Sequence, residues 1–86
     1  MNSTQNISIF EAAKHKFASQ LLSLPHVRGL GVGKKRIAGI ETDQFCVKVY
    51  VDRKVDLSAL AETDRVPSDL EGIPTDVEEM GVLRAR

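Results

Sequence analysis

Two neighbouring stretches with a two-residue period constrain this chain more than anything else in it. In Val27-Arg-Gly-Leu-Gly-Val-Gly-Lys-Lys35, glycine alternates with larger residues. In Phe45-Cys-Val-Lys-Val-Tyr-Val51, apolar residues alternate with mixed ones. Successive side chains of a strand point to opposite faces, so both stretches predict strands, joined as an antiparallel hairpin. Strand one runs from Val27 to Ile37. It puts Leu30 and Val32 on one face and Gly29, Gly31 and Gly33 on the other. Strand two puts Phe45, Val47, Val49 and Val51 on one face and Cys46, Lys48, Tyr50 and Asp52 on the other. Val27 and Ile37 share the parity of the glycines, which predicts a bulge within strand one. Residues 38–43 are expected to form the hairpin loop, longer than a two-residue turn.

The helical period appears once. Phe10, Ala13, Phe17, Leu21 and Leu24 recur every three or four residues, one apolar stripe on a helix of about four turns. Ser8 followed by Glu11 fits a capping box at its start. Pro25 ends it, because the residue before proline avoids helical angles. The Phe-Val-Val-Val face of strand two and the Phe10/Phe17/Leu21 stripe are expected to form the core.

Beyond Arg53 the pattern weakens. Asp56 can cap a short helical turn through Leu57 and Leu60. Residues 66–72 read as a second turn, with Pro67 near its start and Gly72 just past its end. Ile73, Thr75 and Val77 then alternate with Pro74, Asp76 and Glu78, a third strand that begins at Pro74 or lies at an edge. Gly81 is expected to end it. The reading is one small α+β domain over residues 1–86: an N-terminal helix on a three-stranded sheet built on a hairpin, with a short helical connection before the last strand. Residues 1–7 are expected to be frayed and 82–86 to form a basic tail. Strand order stays open, and the connection is long enough for a parallel crossover.

Composition narrows the function classes. A chain of 86 residues holds one core. Twelve basic residues balance twelve acidic ones, which argues against a general nucleic-acid binder. Cys46 is the single cysteine, so no intrachain disulfide forms, and a reducing, cytoplasmic setting is expected. No secretory signal or membrane-spanning run is visible. A core this small supplies only about 3–5 kcal/mol, so self-association or docking on a partner would help it.

Chemistry-bearing motifs are scarce. Gly29 to Gly33 encloses three residues rather than the four of a phosphate loop, and Lys35 stands where that motif needs serine or threonine. The dinucleotide glycine pattern fails as well, because Lys34 and Arg36 occupy the places of its last glycine. His15, His26 and Cys46 are the soft metal-ligand candidates, and none is spaced for a zinc site. Cys46 lacks a base and an oxyanion hole, and no serine reads as part of a triad. The acidic pairs Asp69/Glu71 and Asp76/Glu78 read as solvated faces or caps, with Asp76 and Glu78 placed to form exposed pairs with Lys48. Lys34, Lys35, Arg36, Lys48, Arg53 and Lys54 suggest a basic rim near the hairpin, hence an alternative reading as a phosphate or nucleic-acid binder.

The ordered motifs Pro25-His-Val-Arg-Gly-Leu-Gly-Val-Gly-Lys-Lys35, Val47-Lys-Val-Tyr-Val-Asp-Arg-Lys54, Leu60, Val66-Pro67 and Gly72-Ile-Pro-Thr-Asp-Val-Glu-Glu-Met-Gly81 resemble the N-terminal module ahead of the peptidase domain in bacterial trypsin-like serine peptidase relatives. The catalytic domain has no counterpart here, so no catalytic residue carries over. The resemblance implies an accessory module, either free-standing or cut from a longer product, with a prodomain-like role as folding aid, inhibitor or adaptor. The expected function is therefore a non-enzymatic protein-interaction or assembly module without cofactor or metal. It binds a protein partner or itself, a trypsin-like peptidase being one candidate, and neither a membrane nor, in this reading, nucleic acid. Its expected contacts are Gly29, Gly31, Gly33, Lys34, Lys35, Cys46, Lys48 and Tyr50.

Overall fold

The computed structural model of the chain describes residues 7–80. One helix, α1 (Ile7–Leu22), packs on a sheet of four strands: β1 (Val27–Ile37), β2 (Ile40–Val51), β3 (Asp69–Leu70) and β4 (Ile73–Glu79). The spatial order is β1-β2-β4-β3. β1 and β2 are antiparallel, β2 and β4 are parallel, and β3 and β4 are antiparallel. The α+β reading holds, but the sheet has four strands rather than three. The missed strand is two residues long, too short to display a period.

The apolar stripe of α1 meets the valine face of β2 as its spacing predicts, but the helix ends at Leu22, before the expected stop at Pro25, and Leu24 packs on the core from the turn that follows. Ala13, Leu21, Val27, Val47, Val49, Val51 and Leu70 form the buried cluster, with Phe17, Leu24, Leu30, Val66, Ile73 and Val77 packed against it. Phe10 and Phe45 meet with ring centroids 6.0 Å apart. Ser8 lies inside α1 rather than before it, so the proposed capping box is not the start of the helix.

Two irregularities shape the hairpin. Val27 faces Val51 and Gly29 faces Tyr50, leaving Arg28 as an extra residue. That bulge restores Val27 to the core face against its apparent parity. The second shift lies between Lys34 and Arg36, which pair with Phe45 and Glu41. Here β2 carries the excess, residues 42–44 standing opposite Lys35 alone. Thr42 Oγ1 bridges this bulge, donating to the Lys35 carbonyl and accepting from the Gln44 amide. The bulge hides the alternation at the start of β2, which is why the sequence reads residues 40–43 as loop. The loop itself is only Ala38-Gly39, with φ of 53° and 80°. Two successive left-handed residues are what a tight twisted hairpin turn requires.

The connection differs from expectation in detail. Its helical turns are single 3-10 turns, Leu57–Ala59 and Glu62–Asp64, and Asp56 makes no side-chain cap. Residues 69–73 form a second tight hairpin rather than a helical turn. Glu71 and Gly72 take φ of 54° and 94°, and the Gly72 amide donates to Asp69 Oδ2. Pro74 pairs with Asp69 on the β3 side, and the ladder to β2 begins only at Thr75, so its missing N–H interrupts nothing. The expected strand break at Gly81 and the basic tail lie outside the described residues. No helix among the described residues is long and apolar enough to cross a membrane.

Candidate functional site

The sheet face turned away from α1 carries most of the residues that the sequence singles out. Gly29, Gly31 and Gly33 stand opposite Tyr50, Lys48 and Cys46. The close approach that glycine permits is used first by the chain itself. A Cβ on Gly31 would lie 3.1 Å from Tyr50 Cε2, and one on Gly33 would lie 3.5 Å from Lys48 Cγ. The face is therefore not bare: the Tyr50 ring and the Lys48 stem lie across it. Of these three glycines, only Gly29 has open space where a Cβ would stand.

Lys48 is the centre of the site. It is 5% exposed, against the expectation of a solvated lysine. It stands opposite Asp76 in the parallel ladder, one step from the Tyr50–Glu78 pair. Its Nζ donates to Asp76 Oδ2 at 2.8 Å, to Glu78 Oε1 at 2.8 Å and to the Lys34 carbonyl at 3.3 Å. A lysine ammonium has three protons, and all three are used. Burial alone would pull its pKa down. The hydrogen bonds to Asp76 and Glu78 outweigh burial and hold the ammonium above the ordinary lysine value. Burial likewise pushes the Asp76 carboxyl up, but the bonds from Lys48 and from the Arg36 amide prevail and hold it below the ordinary aspartate value.

The bulge at residues 42–44 explains how a lysine is buried on a face without a second helix. Bulges bend the strand that carries them. Here the end of the hairpin turns over the sheet until the Arg36 amide reaches Asp76 Oδ2 at 2.9 Å. Lys35 spans from β1 to β4 and donates to the Thr75 carbonyl at 2.6 Å. Cys46, on the strand between them, is fully buried. Burial pushes its thiol pKa up more than the Lys48 ammonium beside it pulls down. A buried thiol held in its protonated form is a poor nucleophile.

The other candidates are dispersed. His15 is exposed on α1. Among the described residues, no three of His, Cys, Asp and Glu come together as a metal site. The basic rim divides. Lys48 belongs to the buried cluster and Lys35 is tied to Thr75. Arg53 and Lys54 follow the far end of β2, roughly 30 Å from Arg36 at the usual rise per strand residue. Among the acids, Asp76 and Glu78 serve Lys48, Asp69 holds the β3–β4 turn, and Glu71 pairs with Lys16 at 2.7 Å.

The chain matches no protein-family model, and no curated protein matches it.

One group escaped the sequence reading. His26 turns the chain into β1 with φ of 70°. Its Nδ1–H donates to Asp52 Oδ1 at 2.9 Å, while Arg28 Nε and Nη2 both donate to Asp52 Oδ2. Desolvation would raise the Asp52 carboxyl, but the bonds from His26 and Arg28 hold it below the ordinary value. The Arg28 bulge makes this clamp possible, and the neighbouring positions 26, 28 and 52 gave no periodic signal of it. Chemically, both clusters hold charge in place. Every proton of Lys48 is committed, which makes its ammonium a fixture rather than a base.

Proposed function

We propose that this chain is a non-catalytic protein-interaction module that pairs through the outer edge of β1. The observation that carries this reading is the place of β1 at the rim of the sheet. Among the described residues no strand lies on its outer side, and an open edge presents a row of backbone donors and acceptors to any extended segment. Its glycines reduce side-chain bulk along that rim, most of all at Gly29. The far end is already engaged, since the Arg36 amide bonds to Asp76, so the usable stretch runs from Arg28 to Gly33. Cys46 and Lys48 are buried and fall outside this contact set. Gly29, Gly31, Gly33, Lys34 and Tyr50 stay in it.

Charge selects the partner. In an antiparallel pairing of two copies centred on Gly31, Lys34 of one copy would face the Asp52-held Arg28 of the other, and Lys34, with no ion pair of its own among the described residues, would find no acid opposite it. An acidic extended segment from another protein supplies that acid. The resemblance to modules preceding trypsin-like peptidase domains supports such a peptidase as the first natural partner to test, in a reducing, cytoplasmic setting.

The test is amide hydrogen exchange along β1 with two probe peptides, one alternating Val and Glu, the other Val and Lys. The acidic peptide should slow exchange between Arg28 and Gly33, and Gly29→Lys should change that response without unfolding the chain. Equal or absent protection by both peptides would count against the reading. A concentration-dependent dimer paired through β1 in light scattering would keep the edge but overturn the choice of an acidic partner.

A further inference from the structure

A cavity of about 270 Å³ opens at the end of the sheet opposite the hairpin turn, beneath the segment that connects β2 to β3. Val51 of β2 and Val77 of β4 line it, together with Val55, Leu60 and Val66 of the connection. Leu57, 62% exposed, stands at its lip. It lies just below the usual range for drug-sized ligands, roughly 300–1,000 Å³, so its occupant is a small one.

The polar residues that line it are Arg53, Lys54, Asp64 and His26. Arg53 and Lys54 form no ion pair among the described residues. Asp52, the acid beside them in sequence, is already held by His26 and Arg28. The lining therefore holds two cations and one carboxylate, Asp64, beside an apolar interior. We infer that this cavity binds a small molecule with an apolar tail and an anionic head, of the class of a medium-chain carboxylate. The tail lies on Val51 and Val77, and the head pairs with Arg53 and Lys54. The site is distinct from the β1 edge and does not depend on it.

The chain has no tryptophan, so Leu57→Trp at the exposed lip provides a unique fluorescence signal. Octanoate and octanol are titrated into this variant and, in parallel, into the isotope-labelled wild-type chain followed by amide chemical shifts. Octanoate should give a saturable change, with shifts centred on Val51, Val55 and Val77. Replacing Arg53 and Lys54 together by glutamine should weaken octanoate by about fivefold, the scale of an exposed ion pair, and leave octanol unchanged. Octanol binding as tightly as octanoate would overturn the anionic head. Shifts centred elsewhere, or no saturable change in either protein, would overturn the site.

Discussion

Lys48 stands directly opposite Asp76 across the parallel pairing of β2 and β4, and its ammonium lies 2.8 Å from Asp76 Oδ2. With Asp76 only 14% exposed at its side chain, this is a desolvated ion pair rather than a surface contact. Removing one partner of such a pair strands the other, typically at a cost of about 3–5 kcal/mol, whereas replacing both by apolar groups can be close to neutral. Lys48→Met is therefore expected to destabilise the chain by about 3 kcal/mol, because it leaves Asp76 and the less buried Glu78 without the ammonium that joins them. The double variant Lys48→Met, Asp76→Leu should recover part of that loss. Urea denaturation checks both. A loss for Lys48→Met well below this range would show that water reaches the cluster.

The same cluster sets a pH window. The Asp76 carboxyl is held below its ordinary value of 3.8, so its contribution is present above that value and lost as pH falls through the lower folded one. The Lys48 ammonium is held above its ordinary value of 10.5, so its contribution is complete below that value and lost as pH rises through the higher folded one. The stabilisation from this pair should be flat between these limits and decline at both extremes. Melting temperature against pH for the wild type and for Lys48→Met, Asp76→Leu measures it. The difference between the two curves should change only outside that interval.

Gly31 and Gly29 lie two residues apart on the same strand face and should respond oppositely to alanine. At Gly31 the new methyl would meet the Tyr50 ring at 3.1 Å. Gly31→Ala should cost about 1 kcal/mol, the lower end of an overpacking penalty. At Gly29 the methyl meets nothing within 4 Å. Gly29→Ala should be neutral or stabilising by about 0.4–1 kcal/mol, through the lowered entropy of the unfolded chain. In a Tyr50→Ala background the penalty at Gly31 should vanish, a double-mutant cycle that isolates the ring.

Thr75 fastens the connection to the sheet. It is buried, its amide donates to the Ser68 carbonyl at 3.1 Å, and its hydroxyl donates to the Pro67 carbonyl. Thr75→Val keeps the shape but leaves the Pro67 carbonyl without its partner, at an expected cost of about 1–3 kcal/mol. Amide exchange should accelerate first at the β3–β4 turn, and a uniform acceleration across the sheet would argue against a local fastening.

The sequence by itself determined the layers of this protein. Side-chain period is a local property, so the stripe from Phe10 to Leu24 and the alternation of Val47, Val49 and Val51 identify the packed faces without any long-range information. Even a bulge within strand one was legible, because Val27 is apolar on the wrong parity, though its place at Arg28 was not. Three things were decided by the tertiary structure alone. β3 exists only because β4 is beside it, and two residues cannot show a period. The start of β2 was hidden by a bulge that breaks alternation where the hairpin bends. Lys48 reads as a surface residue because its partners Asp76 and Glu78 lie 28 and 30 positions away, on a strand that returns parallel after the connection. Only that return, with the hairpin end turned over the sheet, excludes water and makes the lysine a buried, fully bonded centre.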